Sequence, residues 1–95
     1  MPKTELPTKA YELLAKPDSW TQGEYAETDS GRGVEADSPD AVCWCAWGAI
    51  IRVYGVGWET IGRVEHRVGD SITAWNDNPD RTHAEVLAVL KELDI

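Results

Sequence analysis

Phenylalanine is absent from the 95 residues, so aromatic burial falls to five tryptophans and three tyrosines. Each tryptophan can bury roughly 150–250 Å², and a chain this short needs an efficient core. Core packing is therefore the first use of the tryptophans. Any surplus would line a ligand pocket or an interface. Positive charge is also scarce: nine Lys and Arg stand against 17 Asp and Glu, a net charge of -8. That balance excludes general binding to nucleic acid or to an anionic membrane, which needs Lys and Arg to neutralise phosphate. It suits solubility, or contact with a basic protein surface. No uncharged run approaches the ~20 residues that cross a bilayer, and the opening MPKTELPTK has no apolar segment of the signal-peptide kind. One domain over 1–95, in the cytoplasm, is expected.

Cysteine is limited to Cys43 and Cys45, both inside the charge-free run Ala41–Ile51. Ser38 offers a helix cap, Pro39 suits the first helical position, and Asp40 complements the positive helix end. Gly55 closes the segment. The pattern predicts a buried central helix over 39–54, apolar on every side. Two positions apart on a helix, the thiols diverge, so reduced thiols are expected rather than a bridge. A metal would need further ligands, and only His66 and His83 are on offer; no metal and no cofactor is expected. Gly48-Ala49 leave one face nearly bare, where another helix or a ligand can approach the backbone closely, helix packing being the commoner reason. Trp44 and Trp47 lie three apart on one side. If one small domain does not bury both, they mark an interface in a homo-oligomer.

Around that centre the pattern predicts a helix from Glu5 to Lys16, capped by Thr4 and stopped by Pro17. Its apolar face is Leu6, Ala10, Leu13 and Leu14. Trp20–Ala26 and Gly33–Glu35 flank the turn Asp29-Ser-Gly-Arg-Gly33 and read as a small β-hairpin or ordered loop over 20–35. A helix over Trp58–Val68 follows, with Trp58, Ile61, Val64 and Val68 as its stripe and Glu59–Arg63 as an i,i+4 pair. Ile72–Trp75 reads as a short link and Asn76–Asp80 as a turn. Thr82 and Glu85 form a capping box before a last helix that turns Val86, Val89, Leu90 and Leu93 inward. The fold class is mainly α, with about four helices.

Two segments carry candidate chemistry. Arg63, His66 and Arg67 share one helix face, either as a pocket for phosphate or carboxylate or as a solvated face paired with Glu59 and Glu65. Trp75–Thr82 aims several polar groups from a tight turn that ends at a helix N-terminus, where free N–H groups bind anions. Asn76, Asp77, Arg81 and Thr82 would bind a polar ligand there, with Trp20, Tyr25 or Trp75 stacking a base. Asp77 paired with Arg81 would instead lock the loop. Catalytic signals are poor: there is no Gly-rich phosphate loop and no nucleophile elbow, and thiols in apolar surroundings are inert.

Trp44-Cys-Ala-Trp-Gly-Ala49 resembles the W-C-A-x-G-A helix of a family of short, uncharacterised bacterial and phage proteins, a domain of unknown function. Trp75-Asn-Asp-x-x-x-Arg-Thr82, with Glu85-Val86, resembles that family's second signature. Leu13-Leu14, Trp20, Gly23, Ala26 and the turn Asp29–Gly31 match its N-terminal pattern more loosely. Trp47 departs from it, standing where a smaller aliphatic residue is expected. The resemblance implies no established activity and a bacterial or phage cytosolic setting. By analogy, without a motif match, some small phage proteins of this size and aromatic content act as sponges for nucleotide-derived immune signals. The expected function is thus non-catalytic capture of a nucleotide-type ligand by a homo-oligomer, in evasion of host defence. An acidic inhibitor of a host enzyme or nucleic-acid-binding protein is the alternative, and a small cysteine-dependent enzyme is a third reading.

Overall fold

The computed structural model describes residues 7–55 and 58–95. Within them lie α1 (Ala10–Leu13), β1 (Ala26–Glu27), β2 (Gly33–Val34), β3 (Cys43–Trp44), α2 (Ala46–Tyr54), α3 (Trp58–Val68), α4 (Ile72–Asp77) and α5 (His83–Glu92). The architecture is mainly α with a small antiparallel sheet of order β2-β1-β3.

The first helix is much shorter than expected. The Glu12 carboxylate accepts from Thr8 N at 2.9 Å and Lys9 N at 3.1 Å, which fixes the helix start at Ala10. Pro7 precedes the helix, and Thr4 and Leu6 lie outside the described residues. The hairpin forms where the Asp29–Gly31 turn requires it. Ala26 pairs with Val34 and Glu27 with Gly33, and Gly31 takes a φ of 84° in the turn.

The largest departure concerns residues 39–54. Ser38–Asp40 is a turn, in which the Ser38 hydroxyl accepts from Asp40 N at 3.2 Å. Cys43 and Trp44 are a third strand, opposite Glu27 and Ala26. The helix begins only at Ala46, and Cys45 is its cap: the sulfur accepts from Gly48 N at 3.3 Å. A charge-free run has no period that separates a buried strand from a buried helix. Here the flanking backbone decides. Val42 N donates to Glu27 O at 2.9 Å, Thr21 N to Trp44 O at 3.0 Å, and Cys45 N to Tyr25 O at 3.2 Å. The helix itself is buried along Ala46, Gly48, Ala49 and Ile50, half-buried at Trp47 and Ile51, and exposed at Arg52 and Tyr54.

The bare face at Gly48 meets the backbone of Tyr25, just before β1, rather than a helix. A Cβ on Gly48 would fall well inside contact distance of the Tyr25 carbonyl oxygen. Trp44 is buried, its indole N–H donating to Ala36 O at 2.9 Å, and only Trp47 of that pair remains half-buried.

The helix α3 has the expected bounds, and Ile61 and Val64 are buried. Trp58 is not on the core stripe, being 69% exposed. The stretch read as a link is α4, because Ser71 caps it: its hydroxyl accepts from Ala74 N at 3.3 Å. The capping box of Thr82 and Glu85 starts α5, which buries Val86 and Leu90. Its end is a Schellman-type turn. Asp94 takes a φ of 57°, Ile95 N returns to Leu90 O at 2.8 Å and Asp94 N to Lys91 O at 3.1 Å. Ile95 is thereby buried, and its carbonyl accepts from the Tyr54 hydroxyl and Ala10 N. Among the described residues no helix is long and apolar enough to cross a membrane.

Two glycine substitutions separate close approach from conformational entropy. Gly48→Ala should cost about 1–3 kcal/mol through the backbone clash. Gly62→Ala, where the added Cβ meets open space, should stabilise by about 0.5–1 kcal/mol. Thermal unfolding reads both, at about 4–8 °C per kcal/mol.

Candidate functional site

The expected ligand groups of Trp75–Thr82 are placed by α4 and α5. Asn76 is 0% exposed. Its carbonyl oxygen accepts from the Trp20 indole N–H at 2.7 Å and from Ala46 N at 2.9 Å. Its amide donates to Thr21 O at 3.1 Å and to the Asp77 carboxylate at 2.9 Å. An asparagine has two donors and one oxygen with two acceptor sites. All are used inside the protein, so Asn76 has nothing left for a ligand. Asp77 also accepts from Gly23 N at 3.0 Å, and Gln22 donates to Asn76 O and Asn78 O at 2.9 and 2.8 Å. Trp20 is bound into the same knot, its ring tilted against His83 at 6.2 Å. The Thr82 hydroxyl and N–H are taken by Glu85.

Arg81 does not pair with Asp77. Its Nε donates to Trp75 O at 2.9 Å, its guanidinium lies 4.6 Å over the Trp75 ring, and Nη1 reaches Glu85 at 3.4 Å. Arg67 grips Glu92 through Nε at 2.5 Å and Nη2 at 3.0 Å. Arg63 donates to Leu93 O at 2.6 Å rather than to Glu59, and Glu65 accepts from Ile72 N at 2.9 Å. His66 is exposed. The basic face of α3 therefore holds the end of α5. Arg67, Trp75, Arg81 and Glu85, with Val68, Ala88 and Val89, line one cleft of about 450 Å³.

Tyr25 lies elsewhere. It is 50% exposed and lines a cavity of about 300 Å³ with Gly23, Glu24, Cys45, Thr73 and Asp77. Burial pushes the Cys45 thiol up to about 11. Burial first, and then the Glu27 carboxylate, raise that of Cys43. Both are free thiols, protonated near neutral pH. Among the described residues no three His, Cys, Asp or Glu side chains are grouped to hold a metal ion.

The family model described as a family of unknown function (DUF6197) matches residues 2–93. The chain belongs to DUF6197. No curated protein and no solved structure matches it.

In this DUF6197 chain the nine expected ligand residues separate into four groups. Trp20, Asn76 and Thr82 are bound into the fold. Trp75, Arg81 and Arg67 meet in one cleft. Tyr25 and Asp77 line another cavity, while Arg63 faces the end of α5. A groove around Trp47 had no counterpart in the expected site. Its only advance sign was a tryptophan in excess of what one helix can bury.

Removing the Asn76 amide leaves the Trp20 N–H, the Ala46 N–H and the Thr21 carbonyl unpaired. Asn76→Ala should therefore cost about 2–4 kcal/mol, read as a lower urea midpoint with an unchanged m-value. Acid should act through the glutamates of α5. The N–H and hydroxyl of Thr82 hold Glu85 below the ordinary 4.5, and the Arg67 guanidinium does the same for Glu92. The unfolded chain then takes up their protons first. Their stabilisation is complete above about pH 4.5 and is lost as pH falls through the lowered folded values. Glu85→Gln should flatten that part of a stability-against-pH curve.

Proposed function

We propose that the chain captures a small, phosphate-bearing ligand of nucleotide type, without turnover, in the cleft between α3, α4 and α5. One observation carries this reading: Arg67 and Arg81, from different elements, line the same cleft beside Trp75 in a chain of net charge -8. Guanidinium groups bind phosphate in a bidentate fork. The Arg81 guanidinium lies over the Trp75 ring, and both groups are of the kind on which a base stacks. The existing glutamate partners do not forbid this. The side chains of Arg67 and Glu92 are 46% and 52% exposed, and exposed pairs are worth only about 0–1 kcal/mol. A dianionic phosphate can displace such a partner at small cost. The buried, protonated thiols offer no nucleophile, which favours sequestration over chemistry.

Calorimetry against cyclic nucleotides and ADP-ribose derivatives tests the reading. Heat of binding is expected from at least one. Arg67→Gln should weaken it about tenfold or more, the worth of one charge-assisted hydrogen-bond pair. Absence of heat from the whole panel at micromolar protein would sink the proposal.

A further inference from the structure

On the sheet side of the molecule a second groove has a different chemistry. Tyr25, Trp47, Ile51 and Ala36 form its apolar surface, and Glu35 and Asp37 stand at its rim, around a space of about 300 Å³. The Tyr25 and Trp47 ring centroids are 4.4 Å apart, with planes tilted by 38°. The cavity already described, with Glu24 and Asp77, shares Tyr25 as a wall. One exposed tyrosine thus stands among four carboxylates, and no Lys, Arg or His lines either space. Among the described residues, Glu24, Glu35 and Asp37 form no salt bridge. Arg52, which shares a neighbouring cavity with Asp37, donates instead to Ser38 O at 3.1 Å and lies over Trp44.

We infer that this groove docks a segment of a partner protein that bears lysine or arginine side chains. Aromatic faces attract ammonium and guanidinium groups, and rim carboxylates complete the cation's shell. Two acidic spaces on either side of Tyr25 suit two cationic side chains on one extended segment better than a single small cation. The geometry is set before binding. The Tyr25 backbone is pressed against Gly48 and bonded to Cys45 N, so little ordering is required of it. A second copy of this chain is a poor occupant. An isologous contact would set Glu35 and Asp37 of one copy against those of the other, and like charges across an interface are costly. The net charge of -8 also speeds encounter with a basic surface.

The test is titration of the full chain with a short extended peptide carrying two arginines, followed by the Trp47 indole N–H resonance. Saturable shifts at Trp47 that weaken as salt rises are expected. Tyr25→Ala, and separately the double variant Glu35→Gln/Asp37→Asn, should each weaken binding about five- to tenfold. Arg67→Gln should leave it unchanged, which separates this groove from the phosphate cleft. Three results would overturn the inference. One is a Trp47 signal indifferent to the peptide, or binding indifferent to both variants. Another is equal binding of arginine amide, which would mark a small-cation pocket. The last is sedimentation as a dimer that Tyr25→Ala dissolves, which would make the groove a self-interface.

Discussion

The described structure depends on one buried amide. Asn76 joins three parts of the chain that are distant in sequence: α4, the segment at Trp20 and Thr21, and the first turn of α2. A helix that begins inside a protein exposes N–H groups with no partner of their own. At α2, Asn76 answers Ala46 N and the Cys45 sulfur answers Gly48 N. Those two acceptors let the chain pass from strand to helix at Cys45 while both flanks stay buried. The same arrangement brings the Tyr25 carbonyl down on Gly48, which positions the half-exposed Tyr25 ring beside Trp47. Fully satisfied buried networks of this kind are rigid, whereas partly satisfied ones are costly. The network thereby sets one arrangement among the many that burial alone would allow.

The helices α3 and α5 were legible because their apolar positions recur at the helical period and their ends carry local signals. The Thr82 and Glu85 box needs no information from elsewhere in the chain. The run Ala41–Ile51 carried no such information. Without charges it has no polar face to phase the helix, and Ser38-Pro39-Asp40 serves a turn as well as a cap. Its strand half is decided by Glu27 and Tyr25, sixteen to twenty residues upstream. The α4 segment was missed for a related reason: Ser71 reads as part of the stop after α3 and is also the start of the next helix. The candidate site was misjudged where polar side chains face inward. Trp20 and Asn76 look like ligand groups until they are seen to bond each other across 56 positions.

Four of the scarce cations are engaged on the helical side of the molecule. Arg63 and Arg67 bind the end of α5, Arg81 binds Trp75 and Glu85, and Lys9 binds Asp94. Near Tyr25, by contrast, Glu24, Glu35 and Asp37 form no salt bridge among the described residues. The two surfaces consequently differ in kind. One holds guanidinium groups whose exposed glutamate partners can be displaced. The other holds aromatic rings and carboxylates that form no salt bridge among the described residues.

Tryptophan in place of phenylalanine also has a structural logic. A buried phenyl ring contributes area without direction, whereas an indole adds a donor that must be paired. Trp20 points its N–H at Asn76 and Trp44 at Ala36 O, so each ring is placed by a bond as well as by packing. Trp75 has no such bond among those to its ring. It is placed instead by the guanidinium above it, and therefore shares its position with the cleft. Trp47 and Trp58 have neither kind of anchor among the described residues; Trp58 is exposed, and Trp47 is half-buried, as is the bonded Trp20. A polar partner thus fixes how the rings of Trp20, Trp44 and Trp75 are oriented, while their depth is set by packing.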